Sequence, residues 1–111
     1  MISVSILRAD RNTITGFKVS GHAGYAKSGY DIVCAGVSAV TVGTVNAIEA
    51  LTGILMDADM KDGFLSADLP GEIEANQAEQ VQLLLASMVV MLQSIEGSYG
   101  QYIEIHDATK I

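Results

Sequence analysis

One histidine and the only cysteine of the chain lie on either side of a short glycine-containing stretch. His22 follows Gly21 at the end of a strand pattern, and Cys34 lies where a loop gives way to a long apolar segment. A thiol is a useful nucleophile only as the thiolate, and a usual thiol pKa of about 8.5 falls at a helix N-terminus or beside an imidazole. Because both devices are within reach of Cys34, the pattern predicts a thiol hydrolase with Cys34 as nucleophile and His22 as general base.

Both residues also have plainer interpretations. Free cysteine is among the residue types most often buried in cores, and a loop histidine is usually a surface residue. The predicted place of Cys34 in the first turn of a helix favours chemistry, because the N–H groups there lack intrahelical partners and the helix dipole favours negative charge. The same N–H groups are expected to stabilise the oxyanion of a tetrahedral intermediate.

Asp31 and Ser38 are the polar residues that flank Cys34 in this pattern. Asp31 precedes the predicted helix, where its carboxylate would either cap the first turn or orient His22. Ser38 lies one turn after Cys34 on the same helix face, and its hydroxyl would either donate to the site or bond the carbonyl one turn back. His22, Cys34 and Asp31 make at most three metal ligands and lack the paired spacing of structural zinc, and the sequence has no phosphate loop or dinucleotide fingerprint. No metal and no cofactor are therefore expected.

Length and composition indicate one domain, residues 1–111, with a substantial core. Half of the residues are hydrophobic and 17% are charged, as in a globular chain. A single cysteine cannot form an internal disulfide, and the N-terminus lacks the pattern of a signal peptide, so a cytoplasmic protein is expected. The net charge of −7 comes from thirteen acidic and six basic residues. Such a surface repels phosphate backbones, so direct nucleic-acid binding is not expected, whereas a basic protein or peptide would be attracted.

One segment, residues 32–48, carries no charge and in this respect is like a membrane-spanning helix. A span needs roughly 20 apolar residues, and this run is shorter and is bounded by Asp31 and Glu49. It contains four polar side chains and has no basic flank. The polar residues are Ser38, Thr41, Thr44 and Asn46. A largely buried core helix is predicted, with no membrane association.

Hydrophobic periodicity predicts two hairpins, each followed by a helix, and a closing strand. The predicted strands cover residues 2–6, 13–20, 54–59, 64–69 and 99–106, and the predicted helices cover residues 33–51 and 73–96. Gly53 is expected to end the first helix and Gly97 to end the second in a left-handed conformation. The predicted fold is α+β: a mainly antiparallel sheet in ββαββαβ order with two long helices packed on one face. The second helix is very apolar for one that rests on a sheet, and a homodimer would bury the surplus.

Two segments carry a family resemblance: Gly21-His22-Ala23 and Gly29-Tyr30-Asp31-Ile32-Val33-Cys34-Ala35-Gly36-Val37-Ser38. Together they resemble the ribosomal-processing cysteine proteases, the Prp family, whose length and element order match the whole chain. Gly36 stands where alanine is common in the family, and residues 24–30 are variable. Neither difference touches the proposed chemistry.

The resemblance implies that Cys34 is the nucleophile and His22 the base, with Gly21, Asp31 and Ser38 as supporting residues. It implies a cysteine endopeptidase that removes the short N-terminal extension of a large-subunit ribosomal protein, number twenty-seven, before or during ribosome assembly. It also implies a homodimer and a loop between His22 and Cys34 that rearranges when substrate binds. The alternative is a non-catalytic ribosome-associated module that binds an apolar peptide in the same groove, with Cys34 serving only as packing.

Overall fold

The computed structural model describes residues 1–107, which form five strands and two helices. The elements are β1 (Ile2–Asp10), β2 (Thr13–Ser20), α1 (Ile32–Thr52), β3 (Asp57–Lys61), β4 (Phe64–Asp68), α2 (Ala75–Tyr99) and β5 (Ile103–Asp107). The predicted α+β class and the predicted ββαββαβ order are confirmed.

All five strands belong to one sheet in the order β3-β4-β2-β1-β5. The two predicted hairpins are present, and β2 also pairs with β4 in the antiparallel sense. The remaining pairing, between β1 and β5, is parallel. The sheet is therefore mainly antiparallel, as predicted, with a parallel strand at one edge because α2 brings the chain back before β5 begins.

The register of the strands gives the sheet one apolar face and one polar face. Val4 lies opposite Val19 on one side and Ile105 on the other, whereas Ser5 lies opposite Lys18 and His106. Successive side chains of a strand point to opposite faces, so these two rows stay apart across the sheet. Buried residues of both helices join the apolar row in a single core. They are Val33, Val37 and Ile48 of α1, and Val81, Leu85, Met88, Val89 and Leu92 of α2. Both helices thus pack on one face, as predicted.

The first helix keeps its shape despite its many β-branched residues. The hydroxyls of Thr41 and Thr44 donate to the carbonyls of Val37 and Val40, at 2.8 and 2.6 Å. These bonds satisfy buried hydroxyls within the helix itself. Gly53 ends α1 at φ +77°, and its N–H donates to the carbonyl of Glu49 at 2.9 Å. The predicted end of this helix is confirmed.

The predicted end of the second helix is wrong. α2 continues through Gly97 to Tyr99, and Gly100 follows it in a right-handed conformation at φ −60°. Tertiary contacts hold this last turn and outweigh the weak helix propensity of glycine. The Glu96 carboxylate accepts the N–H of Ile105 at 3.0 Å, and the Tyr99 ring packs against Tyr25.

Several predicted boundaries shift for a similar reason. The strand predicted at 54–59 is found at Asp57–Lys61, the strand predicted at 99–106 at Ile103–Asp107, and the helix predicted from 73 begins at Ala75. β1 extends four residues beyond the predicted 2–6, to Asp10. For the strands, pairing with a neighbour sets these limits, and periodicity within a single segment does not show that pairing.

Both helices are long and apolar enough, by length and composition alone, to cross a membrane, with mean hydropathies of 1.6 for α1 and 1.4 for α2. The core helix of a soluble protein meets the same criterion. Each helix buries one side against the sheet, and only 28% of the most apolar window of each is buried. The outer sides therefore leave apolar surface uncovered, including Leu83 and Val90 of α2.

Candidate active site

A cleft of about 640 Å³ opens between the N-terminal half of α1, the end of β2 and the turn between β3 and β4. The five site residues predicted from the sequence all line it: Gly21, His22, Asp31, Cys34 and Ser38. Its volume is within the range of small-ligand and cofactor sites. The fold thus brings the two separate segments of the motif together in one cleft.

Gly21 turns the chain at the end of β2, with φ at +90°. A Cβ on this residue would overlap the carbonyl oxygen of Met1, so both the backbone conformation and the close approach require glycine. The N–H of Gly21 donates to the carbonyl of Gly63 at 2.9 Å, and the carbonyl of His22 accepts from the backbone nitrogen of Met1 at 2.6 Å. The backbone of His22 is therefore held between β1 and the β3–β4 turn.

Cys34 lies in the first turn of α1 and is half-buried. Its Sγ accepts a hydrogen bond from the backbone N–H of Ala23 at 3.3 Å, and Ala23 is itself buried. Among the described residues, this N–H is the donor that the backbone directs at the sulfur. The side chain packs against the edge of the core while it also lines the cleft. The sulfur is accordingly placed to react with a molecule in the cleft.

The His22 side chain is exposed at the rim of the same cleft, with its ring over Gly63. Among residues 1–107, no hydrogen bond joins this ring to the Cys34 sulfur. The structure thus places imidazole and thiol in one cleft but not in a bonded pair. Catalytic hydrogen bonds are often long or absent before substrate binds, and a side-chain rotation or a small loop movement would be needed to form this one.

The Asp31 carboxylate binds four backbone amides. One oxygen accepts from Val33 and Cys34, each at 3.0 Å, and the other accepts from Tyr25 at 2.9 Å and Ala26 at 3.3 Å. These donors, with that of Cys34 foremost, lower the pKa of Asp31 below its usual value, although partial desolvation opposes them. Asp31 therefore caps α1, which is the first of its two predicted roles, and it also binds the loop through Tyr25 and Ala26. His22, which the second predicted role required, is not among the four partners.

This cap corrects the prediction about the oxyanion. The first-turn amides of Val33 and Cys34 already donate to Asp31, so they are not free to hold a tetrahedral intermediate. The amide that points at the sulfur is that of Ala23, in the loop. Cys34 does lie in the first turn of α1, as predicted, but the backbone N–H that reaches its sulfur belongs to the loop before the helix.

Replacement of Asp31 by asparagine is expected to lower the melting temperature and to speed hydrogen exchange at the Tyr25 and Ala26 amides. The neutral amide is a weaker acceptor and one of its two ends is a donor, so it cannot serve four N–H groups. Because the folded-state pKa of Asp31 is lowered, its stabilisation is full above the unfolded value of about 4 and is lost as pH falls through the folded value.

The matched control is Asp59→Asn, at an exposed position of the edge strand β3. The melting temperature of the wild type should exceed that of Asp31→Asn at neutral pH, and the gap should narrow below about pH 4. A constant gap across this range would contradict the assigned role of the charge.

Ser38 lies on α1 one turn after Cys34, is exposed and lines the cleft. Thr41, Thr44 and Thr52 each bond the carbonyl one turn back, whereas in the described residues Ser38 has no such bond. Of the two predicted roles, the structure favours a hydroxyl that is available to the cleft. His106, the second histidine, is exposed on the polar face of the sheet, with its Nε2 3.2 Å from the Glu104 carboxylate.

Three further residues contribute to the site without a role that the sequence predicts: Ala23, Tyr25 and Gly63. The ring of Tyr25 packs edge-on against Tyr99 at 5.8 Å and Tyr102 at 5.2 Å between centroids, which anchors the loop to the junction between α2 and β5. Ala23 appears in the sequence only as the residue after His22 in the motif, which does not show its bond to Cys34, and the contacts of Gly63 likewise follow only from the fold. Within the described part of the chain, no three His, Cys, Asp or Glu side chains are grouped to hold a metal ion.

A half-buried thiol in the first turn of a helix, in a cleft shared with a histidine, is an arrangement that cysteine peptidases use. The comparison with known families agrees, since the model described as cysteine protease Prp matches residues 1–104. The chain belongs to the Prp family of cysteine proteases.

Named relatives match this chain over nearly their whole length. The ribosomal processing cysteine protease Prp of Bacillus subtilis (strain 168) is 36% identical over 107 residues, which are 95% of this chain and 96% of the relative. The protein of the same name from Staphylococcus aureus (strain NCTC 8325) is 38% identical over 106 residues, 96% and 98% of the two chains.

Solved structures match the fold as closely. The S. aureus Prp protease, crystallised with a covalently linked product peptide, superposes with a TM-score of 0.86 at 37% identity and covers 96% of this chain and 99% of its own. SMU.848 from Streptococcus mutans gives a TM-score of 0.82 at 28% identity, with 96% and 93% covered.

Proposed function

We propose that this chain is a cytoplasmic endopeptidase that removes the short N-terminal extension of large-subunit ribosomal protein number twenty-seven, before or during ribosome assembly. The observation that carries the proposal is the half-buried Cys34 sulfur, which lines the cleft beside His22 and receives the Ala23 N–H. The named relatives are ribosomal processing proteases, and the related S. aureus enzyme binds peptides, one as a covalently linked product and one as a substrate.

The reaction begins when His22 accepts the proton of the Cys34 thiol. The thiolate attacks the peptide carbonyl, a C–S bond forms, and the carbonyl electrons move to oxygen. When the tetrahedral intermediate collapses, the C–N bond breaks and protonated His22 gives its proton to the leaving amine. Water, deprotonated by His22, then hydrolyses the thioester, which releases the acid and restores the thiol.

The donor for the oxyanion is the Ala23 N–H. It already points at the sulfur at 3.3 Å, and an oxyanion formed on the attacked carbon is only two bonds away from that sulfur. The hydroxyl of Ser38, one helical turn further along the cleft, is available as a second donor. The roles of the amides of Val33 and Cys34 are structural, through the cap on Asp31.

The charge of the chain fits a basic substrate. Ribosomal proteins as a class are cationic, and a net charge of −7 attracts such partners while it repels RNA and DNA. This supports a proteinaceous partner, the extended precursor, and argues against direct nucleic-acid contact or an anionic membrane surface.

The uncovered apolar side of the two helices supports a homodimer. An apolar groove of about 280 Å³ runs between α1 and α2, and exposed side chains of α2 flank it. The groove is lined by Ala39, Val40, Gly43, Thr44, Ala47, Leu84, Ser87 and Met91. Burial of this face in a second copy would remove it from water. Light scattering is expected to give twice the chain mass of 11.7 kDa, and a monomer at micromolar concentration would contradict the proposal.

The decisive experiment is incubation of the protein with the extended ribosomal precursor, followed by mass spectrometry of the new N-terminus. Cleavage at one bond within the extension is expected, with Cys34→Ala as the inactive control. A non-catalytic peptide-binding module, the alternative function, would retain the precursor without cutting it. Binding without any cleavage product would therefore overturn the enzymatic proposal.

A further inference from the structure

The turn between β3 and β4 contacts His22 through a residue that has no side chain. β2 and β4 are paired up to Ser20 and Phe64, and the next bond of the ladder runs from the N–H of Gly21 to the carbonyl of Gly63 at 2.9 Å. This register carries the pairing one step beyond the last residue of β2 and the first residue of β4, and it places Gly63 beside His22. The turn thereby forms one wall of the cleft.

The imidazole of His22 occupies the space where a side chain of residue 63 would begin. A Cβ built on Gly63 would lie 2.7 Å from Nε2, 3.3 Å from Cε1 and 3.4 Å from Cδ2 of the ring. The first distance is shorter than any tolerated carbon contact, so the ring and a Cβ cannot both keep their places. The edge of the ring that carries Nε2 is the one that lies over the turn.

Gly63 also has a backbone reason to be glycine, because its φ is +71°. The two reasons can be separated, because Gly53 has a similar φ of +77° and no catalytic neighbour. The nearest atom to a Cβ on Gly53 is Nε2 of Gln77, at 4.0 Å. A comparison of the two glycines therefore isolates the effect on the imidazole from the effect on the backbone.

We infer that Gly63 is a positioning residue for the general base: its bare backbone is the surface on which the His22 ring rests before it turns to the sulfur. A side chain at this position displaces the ring from its starting orientation. The inference rests on the proposed role of His22, and it adds the β3–β4 turn to the elements that set the rate. Gly63 does not touch substrate or sulfur in this account; it acts through the histidine.

The test uses Gly63→Ala and Gly63→Asn in the full chain, with Gly53→Ala as the control. Asparagine tolerates the left-handed conformation better than alanine, so Gly63→Asn keeps the turn while it still adds a Cβ against the ring. The measurements are the melting temperature, the chemical shifts of the His22 ring, and kcat and KM for cleavage of the extended precursor.

Both Gly63 variants are expected to shift the His22 ring resonances and to lower kcat by about 10- to 100-fold with little change in KM, since small misplacements of a catalytic group have effects of this size. Gly53→Ala should lower the melting temperature and leave kcat and the ring resonances unchanged. Unchanged ring resonances in folded Gly63→Asn, or an unchanged or higher kcat, would overturn the inference. Full activity in His22→Ala would instead contradict the proposed role of His22 as base. The His22 ring resonances of the Gly63 variants would still show whether residue 63 sets the position of the ring.

Discussion

Replacement of Cys34 by alanine is expected to reduce cleavage of the extended precursor by about 10⁴-fold or more, because no acyl-enzyme can form without the sulfur. The loss should fall on kcat. Cys34 is half-buried at the edge of the core and its Sγ has one recorded donor, Ala23. The fold should therefore survive, and the melting temperature should change by only a few degrees.

Cys34→Ser sharpens this test, since the hydroxyl keeps the shape and can still accept the Ala23 N–H. A serine in this cleft lacks the acidity of a thiol, so it should be nearly as inactive as alanine. In the wild type, iodoacetamide should label Cys34 well below pH 8, and labelling should abolish cleavage. Equal processing of the precursor by wild type and Cys34→Ala would exclude Cys34 as the nucleophile.

Replacement of His22 by alanine is expected to lower kcat by about 10²- to 10⁴-fold, the usual contribution of a general acid–base group. The side chain is exposed, and the bonds that hold this residue run through its backbone to Met1 and through Gly21 to Gly63. The variant should therefore fold as the wild type does. Its alkylation by iodoacetamide near neutral pH should also slow, because the thiol loses its base.

His106→Ala is the matched control, as it removes the other histidine from the exposed polar face of the sheet, where it pairs with Glu104. Its kcat and KM should equal those of the wild type. If His22→Ala and His106→Ala were equally active, the imidazole would have no part in the reaction, and the resting separation of ring and sulfur would be the functional state.

The sequence was sufficient to predict the architecture, because each element carries its own periodic signal. Alternation at Ile2, Val4 and Ile6 showed the buried face of β1, and Gly53 marked the end of α1 correctly. The site residues were also predicted to meet, and they line one cleft, because the motif joins the end of a strand to the start of a helix. Their catalytic roles remain predictions.

What the sequence could not show depends on contacts between distant segments. Gly97 has the residue type of a helix terminus, yet the Glu96 bond to Ile105 and the packing of Tyr99 carry α2 past it. The partners of Asp31 include two loop amides besides the two of the helix, and only the fold of the loop brings them within reach. The first-turn amides were expected to serve the oxyanion because the sequence shows a helix start but not how fully its cap is used.

The hydrogen bond from Ala23 to Cys34 also limits where the histidine can lie, because Ala23 directly follows His22 in the chain. As long as that bond is kept, the backbone of His22 stays near the sulfur even while its ring lies over Gly63. The passage from the resting to the proposed reactive arrangement is therefore chiefly a rotation of one exposed side chain, and it leaves the Ala23 N–H in place for the proposed oxyanion.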